Sequence, residues 1–488
     1  MRLRAVIALA LAACIATPAL PQGLPDLGDV SSAALSDAQE KTIGDRIMRD
    51  IRSDPAYVDD PEISDYINWL GNRLLLAADG PRRTIDFFVV RDDTINAFAL
   101  PGGHIGVNSG LVLLTQNESE LAGVVGHEIG HILQRHQARS IQEQRGSQFT
   151  SLAALALALL AARSGSSQAG QVTEAAVASA GALTMSTQLS YSREHEREAD
   201  RVGLGLLDRA GFSPRAMVTF FQRMLQANRV NEFKGAPAYL QNHPLTVERI
   251  ADMQDRVESM PPRIVSDSTE YGIARAKLRA EAGSPSEAVA FFRGALVGKT
   301  VVRPRDDVYG LALALRRERS FDAAWKTLAP LRAGGNPHPA YELLAGEIKA
   351  DMGQTDAALA IYRAALQDHP DYRALIYAYL DLLEQAGHPR EVLADVEKRL
   401  RSLPDDPRLY EIQARACEAV GNFLGQHRAQ AEALYRRDHL AAAVDQLEIA
   451  LKAKGSDFYG LSSAEARLRE MRALLDNQRA AEKALKIS

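Results

Sequence analysis

A spacing of 34 residues recurs through the second half of this 488-residue chain. Gly353, Gly387 and Gly421 are 34 residues apart, and Ala324 and Ala358 repeat at the same distance. The intervening sequence is rich in Ala, Leu and Tyr and has the pattern of paired amphipathic helices. A fixed period of this length restricts the fold, because each unit has to bury its apolar face against the next unit. We therefore predict that the second half is an α-solenoid.

The period and the pattern resemble tetratricopeptide repeats, and the repeat domain is predicted to cover residues 266–488. Gly283 fits the series with two extra residues, and Arg319 occupies the same phase one period before Gly353. The later units depart from the pattern, since Val392 and Gln426 replace the small residue represented earlier by Ala288, Ala324 and Ala358. An amphipathic helix near 462–485 is predicted to cap the array.

The pentapeptide His-Glu-Ile-Gly-His at residues 127–131 carries the chemistry of the first half. On a helix, His127 and His131 lie one turn apart on the same face, where two imidazoles can bind one Zn²⁺. Glu128 is then placed to take a proton from the attacking water. The surrounding residues 121–133 are apolar on nearly every side, which predicts a buried helix whose histidines need partners. We predict one zinc ion per chain at a hydrolytic site.

A catalytic zinc takes three protein ligands, so one more residue is needed. A third histidine in the common short pattern would stand at position 137, which is Gln137. His136 falls on the opposite face of the zinc helix and is predicted to be solvated or structural. The acidic segment 192–200 offers two pairs of carboxylates one helical turn apart: Glu196 with Asp200, and Glu194 with Glu198. Spacing alone does not choose between them.

The two motifs together resemble the CAAX prenyl protease and heat-shock membrane protease family of zinc endopeptidases. They are His127-Glu-x-x-His131 and, some 65 residues later, Ser-Arg-x-x-Glu-x-x-Ala-Asp. The resemblance implies that Glu196 is the third ligand and that Asp200 is its outer partner. It also implies a mainly α protein, in which residues 23–265 form an α+β zincin-like metallopeptidase domain with a small β-sheet.

A third segment, Asn242-His243-Pro-Leu-Thr-Val-Glu-Arg249, is similar to a His-Pro…Arg signature of the same family. His243 and Arg249 are candidates for the donor that the oxyanion of the tetrahedral intermediate needs. Alternatively, His243 approaches the zinc itself and holds the enzyme inactive until it is displaced. The simplest alternative is a loop histidine that caps a helix at 246–258.

An exported zinc domain followed by tetratricopeptide repeats resembles the periplasmic beta-barrel assembly-enhancing subfamily of these proteases. This implies a zinc metalloendopeptidase that degrades misfolded or stalled envelope and outer-membrane proteins. Its repeats would dock partners, among them the machinery that assembles outer-membrane barrels. The competing hypothesis is a chaperone-like assembly adaptor whose protease activity is secondary or normally latent. A purely structural zinc is disfavoured, because Glu128 would then have no purpose.

Helices and strands of the first half follow from periodicity and from turn residues. We predict helices at 37–53 and 61–78, strands at 85–91 and 104–110, and a turn at 96–103 between the strands. Either Asn117 or Ser119 is predicted to cap the zinc helix. A protease holds its peptide against an exposed strand edge. We predict that the strand just before the zinc helix does this through His104, Ile105, Gly106 and Val107.

The first 22 residues are predicted to be a signal peptide, with a basic start, a short apolar stretch and a possible cleavage site after Ala19. The mature protein is therefore expected in the periplasm. Leu11-Ala-Ala-Cys14 also resembles a lipobox, so the alternative is a lipoprotein anchored to the outer membrane through Cys14. Cleavage after Ala19 would leave Cys417 as the remaining cysteine and would exclude an intrachain disulfide. Cys417 lies within a predicted repeat helix and is predicted to be a small core residue.

Charge and hydropathy limit the partners further. The formal net charge is −5 with both signs interspersed, so we expect no nucleic-acid partner. Residues 149–162 are the most apolar stretch after the leader, but 14 residues fall short of the ~20 needed to cross a bilayer. A buried helix is favoured there over an element that covers the substrate or contacts the membrane peripherally.

Overall fold

The structure is a computed structural model that describes residues 36–80, 83–143, 191–229, 237–297, 303–333, 337–453 and 458–485. The predicted signal peptide, Cys14 and the apolar segment 149–162 lie outside these residues, so those predictions stay predictions. Among the described helices, none combines the length and the hydropathy that a membrane crossing requires.

The part of the chain before residue 266 packs helices against a small sheet. Its helices are α1 (Asp37–Arg52), α2 (Pro61–Leu75), α3 (Ser109–Leu114), α4 (Glu118–Leu133), α5 (His136–Glu143), α6 (Arg193–Ala210), α7 (Pro214–Arg229), α8 (Ala238–Asn242) and α9 (Val247–Glu258). Its strands are β1 (Asp86–Val90), β2 (Ala97–Leu100) and β3 (His104–Asn108). Of the two predicted caps for the zinc helix α4, Asn117 is the cap, and its side chain accepts from the Glu120 amide.

The sheet has the strand order β1-β3-β2, with β3 parallel to β1 and antiparallel to β2. The sequence predicted a turn over 96–103, but residues 97–100 form β2 and the turn is confined to 101–103. Gly102 and Gly103 adopt φ of 80° and 87° there, which side chains rarely tolerate. The predicted strand 104–110 is shorter than expected, because α3 begins at Ser109.

The core of this half lies between the sheet and the helices α2, α4, α6 and α7. Members from each layer are fully buried: Leu70, Phe87, Val107, Leu121, Leu207 and Phe221. Residues 118–131 of α4 are buried around the whole helix, as the apolar sequence predicted. The zinc helix is therefore the centre of its domain and not a surface element.

Helices α4 and α6 cross unusually closely, because glycines line their contact. A Cβ on Gly130 would lie 3.0 Å from the Cα and the carbonyl oxygen of Ala199. A Cβ on Gly203 would lie 3.1 Å from the backbone nitrogen of His127. Backbone atoms cannot move aside as a side chain can, so this approach requires glycine. The crossing brings the carboxylates of α6 to the histidines of α4.

The second half consists of helix pairs, as the 34-residue period predicted. They are α10 (Thr269–Glu281), α11 (Pro285–Val297), α12 (Pro304–Arg317), α13 (Phe321–Arg332), α14 (Pro339–Asp351), α15 (Thr355–Asp368), α16 (Arg373–Gln385), α17 (Pro389–Arg399), α18 (Pro407–Ala419), α19 (Phe423–Arg436), α20 (Leu440–Ala450) and α21 (Phe458–Leu485). The predicted boundary at 265/266 falls in the connection between α9 and α10.

The periodic residues have the structural roles that a helical hairpin needs. Gly353, Gly387 and Gly421 adopt φ of 75°, 82° and 75° at the turn inside each hairpin, and Arg319 occupies the equivalent turn at 64°. The recurring alanines Ala288, Ala324 and Ala358 are buried where the two helices of a pair cross. Cys417 is buried in α18, which fits the core role predicted for it.

The repeats pack against the first half through charged groups. Lys277 on α10 contacts both Asp60 and Glu62 at the start of α2, and Glu62 is 8% exposed. Arg52 at the end of α1 bridges Asp86 at 2.9 Å and Asp438, in the turn between α19 and α20, at 2.8 Å. The two halves therefore share an interface at both ends of the repeat array.

Candidate metal centre

Two histidines from consecutive turns of α4 form the floor of the site. The Nε2 atoms of His127 and His131 lie 3.0 Å apart, and their side chains are fully buried. This is the arrangement that the four-residue spacing predicted. Two ring nitrogens this close together in a buried site can both bind one metal ion.

Helix α6 supplies the third group. Glu196 places Oε2 at 3.5 Å from His127 Nε2 and Oε1 at 3.5 Å from His131 Nε2. Ser192 caps this helix and accepts from the His195 amide, which sets the face that Glu196 presents to α4. Glu194 is exposed instead. The crossing of α4 and α6 thus brings Glu196, and not Glu194, to the two histidines.

His243 occupies the fourth side of the site. Its Nδ1 lies 2.9 Å from Glu196 Oε1 and 3.3 Å from His127 Nε2. Its Nε2 lies 3.4 Å from Glu128 Oε1. The ring is held by Tyr239, which stacks on it at a centroid distance of 4.7 Å. Of the two roles predicted for His243, this geometry corresponds to the one in which it sits on the ligands.

The donor atoms fit a zinc ion. Among the described residues, His127, His131, Glu196 and His243 bring one donor atom each to within 4.8 Å of one another, and all four are buried. Zinc bonds of about 2.0–2.1 Å in a tetrahedral site place two nitrogens about 3.3 Å apart, close to the observed spacing. Both oxygens of the buried Glu128 carboxylate lack a hydrogen-bond donor within the described part of the chain. Such a carboxylate is suited to bind water or a substrate.

Arg249 and Asp200 lie behind the ligands. Asp200 Oδ1 is 2.9 Å from His127 Nδ1, so it faces the ring nitrogen that points away from the site. Arg249 donates to both Asp200 oxygens at 2.8 Å and to the Pro244 carbonyl at 2.8 Å, and its Nη1 lies 2.7 Å from Glu196 Oε2. The oxyanion role predicted for Arg249 is wrong, because its guanidinium is committed to these groups. It holds the carboxylates in place instead.

His136 is also in the site, although the sequence placed it on the opposite helix face. That prediction is wrong because α4 ends at Leu133, and Arg135 turns the chain with φ of 52°. The fully buried His136 ring then approaches His131, with their Nδ1 atoms 2.9 Å apart. The structural alternative that the sequence left open for His136 is therefore the one observed.

Comparison with known proteins follows the same division of the chain. Residues 63–257 match the model of peptidase family M48, and residues 349–416 match a tetratricopeptide-repeat model. The Beta-barrel assembly-enhancing protease of Escherichia coli is 34% identical over 432 residues, which cover 88% of this chain and 86% of that protein. The chain belongs to peptidase family M48. It is accordingly a metalloendopeptidase that carries tetratricopeptide repeats.

Two further metalloprotease relatives cover a smaller share of the chain. Metalloprotease LoiP of Escherichia coli is 28% identical over 274 residues, covering 53% of this chain and 98% of that protein. The mitochondrial metalloendopeptidase OMA1 of Schizosaccharomyces pombe is 31% identical over 204 residues, covering 41% of this chain and 56% of that protein.

Burial and ion pairing shift the pKa values of the residues in the metal centre in different directions. Burial opposes charge on His127, but Asp200 and Glu196 raise its pKa to about 9. Burial, together with the neighbouring His127 ring, lowers the pKa of His131 well below its usual value, although Glu196 opposes this. Burial raises the pKa of Glu128, which makes this carboxylate a stronger base than a solvated one.

The edge strand of the sheet at the metal centre is β2, whose four residues are buried, and β3 is the central strand. The prediction that His104, Ile105, Gly106 and Val107 bind substrate is wrong, because β3 is hydrogen-bonded on both sides. On β2, the Ala99 carbonyl accepts from Gln137 Nε2 at 2.7 Å. The Ala99 backbone amide faces the Glu128 carboxylate and opposes the rise of its pKa. The outward groups of Ala99 thus face the catalytic carboxylate.

Tyr191 is a residue of the site that no sequence pattern indicated. Its ring stacks on His131 at a centroid distance of 4.0 Å and an interplanar angle of 25°. It also lies 5.6 Å from the His243 ring. The available signal was its position directly before Ser192, the N-cap of the helix that carries Glu196.

Proposed function

We propose that this chain is a zinc-dependent endopeptidase of the periplasm that degrades misfolded or stalled outer-membrane proteins. The observation that carries the proposal is the convergence of His127, His131 and Glu196 beside the buried carboxylate of Glu128. Support for the substrate class comes from the name of the Escherichia coli relative, which refers to beta-barrel assembly.

The residues divide the reaction between them. A zinc ion held by His127, His131 and Glu196 would polarise the scissile carbonyl and acidify the attacking water. Glu128 takes the proton of that water and delivers it to the leaving amine. Its raised pKa suits both halves of this transfer, because the carboxylate binds a proton more strongly than a solvated one. Asp200 and Arg249 keep the His127 ring and Glu196 oriented during the cycle.

His243 has two successive roles in this proposal. In the described conformation its ring lies on Glu196 and His127 and closes the side from which a peptide would enter. Once displaced, its ring remains close enough to donate to the oxyanion that forms as the peptide bond is attacked. In this proposal the described conformation is a latent one.

An extended peptide would pair with β2. The carbonyl of Ala99 is an acceptor on this strand, and a substrate N–H would replace Gln137 on it. The repeats would dock envelope partners, including the machinery that assembles outer-membrane barrels. A contact of 149–162 with the membrane surface remains part of the proposal.

A chaperone-like adaptor is the second candidate function, and it rests on a specific observation. His243 Nδ1 lies 2.9 Å from Glu196 Oε1, and Gln137 Nε2 donates to the Ala99 carbonyl, so both would have to move before a peptide could bind there as proposed. A protein that spends most of its time in this state could act on barrel assembly through its repeats alone.

Glu128→Gln separates the two functions. We expect it to retain zinc affinity and to lower cleavage of an unfolded barrel precursor by about 10²–10⁴-fold, because the general base is lost. The matched control is Glu194→Gln, an exposed glutamate of α6. Full complementation of a gene deletion by Glu128→Gln would support the adaptor and overturn the protease-first proposal. Failure to complement, with the control active, would support the protease.

A further inference from the structure

His136 is a buried, polar residue to which the proposed mechanism assigns no task. Its ring is fully buried, and it contacts the metal centre from behind His131. The Nδ1 atoms of the two rings are 2.9 Å apart, while His136 Nε2 lies 3.1 Å from Glu198 Oε2. Arg139 Nη1 donates to the same Glu198 oxygen at 2.9 Å. The contacts form one continuous chain from the metal centre to the protein surface.

The direction of each hydrogen bond in this chain follows from the first one. His131 faces the other ligands with Nε2, so that nitrogen needs its lone pair, and the ring proton is on Nδ1. His131 Nδ1 then donates to His136 Nδ1. His136 consequently carries its own proton on Nε2, and it donates this proton to Glu198. Each ring is neutral and each nitrogen has a single consistent role.

We infer that His136 is a positioning residue that fixes the tautomer of His131 by connecting it to Glu198. The other histidine ligand has a direct version of the same device, since Asp200 faces His127 Nδ1 at 2.9 Å. In both cases a carboxylate outside the ligand set determines which ring nitrogen is free for the metal. His195 stacks on the His136 ring at 4.4 Å and keeps it in register. The inference rests on the proposed metal site.

The test is the zinc dissociation constant of the apoprotein, measured by competition with a chelator. His136→Phe keeps the buried ring but removes the acceptor, and we expect zinc binding to weaken about 10–100-fold. His136→Asn places an amide oxygen where Nδ1 was, so we expect its affinity to return close to that of the wild type. A His136→Phe variant with wild-type affinity, or an Asn variant that is no better than Phe, would overturn the inference.

A second pair of variants covers the case in which His136→Phe does not fold. Glu198 is at the surface end of the chain of contacts, with a side chain that is 26% exposed, so Glu198→Ala is expected to fold. It should weaken zinc binding severalfold, while Glu194→Ala, the same change one turn earlier, should not. Equal constants for the two variants would overturn the inference. If the zinc-loaded wild type does not cleave peptides, the proposed function is overturned. The expected order of zinc affinities among the variants would be unaffected by that result.

Discussion

Arg249 and Asp200 form a buried ion pair under the metal centre. Both side chains are nearly inaccessible, at 3% and 2%, and they share two hydrogen bonds of 2.8 Å. A buried pair of this kind contributes little net stability, but removal of one partner leaves the other charge without compensation. A single substitution that removes one partner is therefore expected to lower stability more than removal of both partners.

We predict that Arg249→Met destabilises the zinc-free protein by about 3–5 kcal/mol, because Asp200 is left charged and buried. The double variant Arg249→Met, Asp200→Asn should recover most of this loss. Denaturant unfolding in the presence of a chelator measures both. A double variant as unstable as the single one would mean that packing of the guanidinium, and not charge compensation, is what Arg249 provides.

The residues of the site differ in how far the sequence could predict them. His127, Glu128 and His131 lie within one helical turn, so their geometry follows from spacing alone. Glu196 required the resemblance to known proteases, because Glu194 and Glu198 have the same spacing and only the helix crossing distinguishes them. His136 was misplaced because the turn at Arg135, a non-glycine residue with positive φ, has no sequence signature.

At the scale of elements, the position of the third ligand depends on the crossing of α4 and α6. Gly130 meets the backbone of Ala199, and Gly203 meets the backbone of His127. Each added atom would separate the helices by a few tenths of an ångström. The distance from Glu196 to the two histidines changes by the same amount, so packing and metal binding are coupled through this contact.

We predict that Gly130→Ala lowers both zinc affinity and thermal stability. The substitution improves helix propensity by about 1 kcal/mol, but the new methyl group meets backbone at 3.0 Å and forces α6 away. Gly294→Ala on α11 is the matched control. Its Cβ meets nothing within 4 Å, so it should stabilise the protein by about 0.5–1 kcal/mol. Unchanged zinc affinity in Gly130→Ala would contradict the coupling.

The elements themselves were predicted unevenly. The repeats could be predicted because the 34-residue period recurs in successive hairpins. The periodic glycines Gly353, Gly387 and Gly421 do lie at turns. The sheet was predicted in part, because β2 is followed directly by Pro101-Gly102-Gly103 and its residues were therefore assigned to the turn. Strand order could not be predicted, since β3 inserts between β1 and β2 out of chain order, and local patterning contains no information on that step.

At the scale of the molecule, one cluster joins α1, the sheet and the repeats. His104 at the start of β3 lies 3.7 Å from Asp45 on α1 and 3.6 Å from Asp86 on β1. Asp86 in turn contacts Arg52, which also binds Asp438 in the repeats. Burial opposes charge on His104, but the two carboxylates raise its pKa above the usual value.

We predict that this cluster makes stability depend on pH. Because the folded pKa of His104 is raised, its stabilisation is complete below about pH 6.5 and is lost as the pH rises through the folded value. The stability difference between wild type and His104→Asn should therefore shrink between about pH 6 and about pH 9. Thermal unfolding at both pH values measures it, with the half-exposed His388→Asn as the control. A difference that is constant or grows with pH would contradict the prediction.

The contact between α1 and α21 has a consequence for the repeat array as a whole. In an open solenoid each unit touches only its neighbours, so a terminal unit can fray or be removed without disturbing the others. Here Arg49 on the first described helix lies 3.7 Å from Glu482 on the last one. The same first helix packs Ile47, Met48 and Ile51 against the sheet. The described helices thus form a closed ring of contacts, and deletion of α21 would uncover the outer face of α1 rather than shorten a row of repeats.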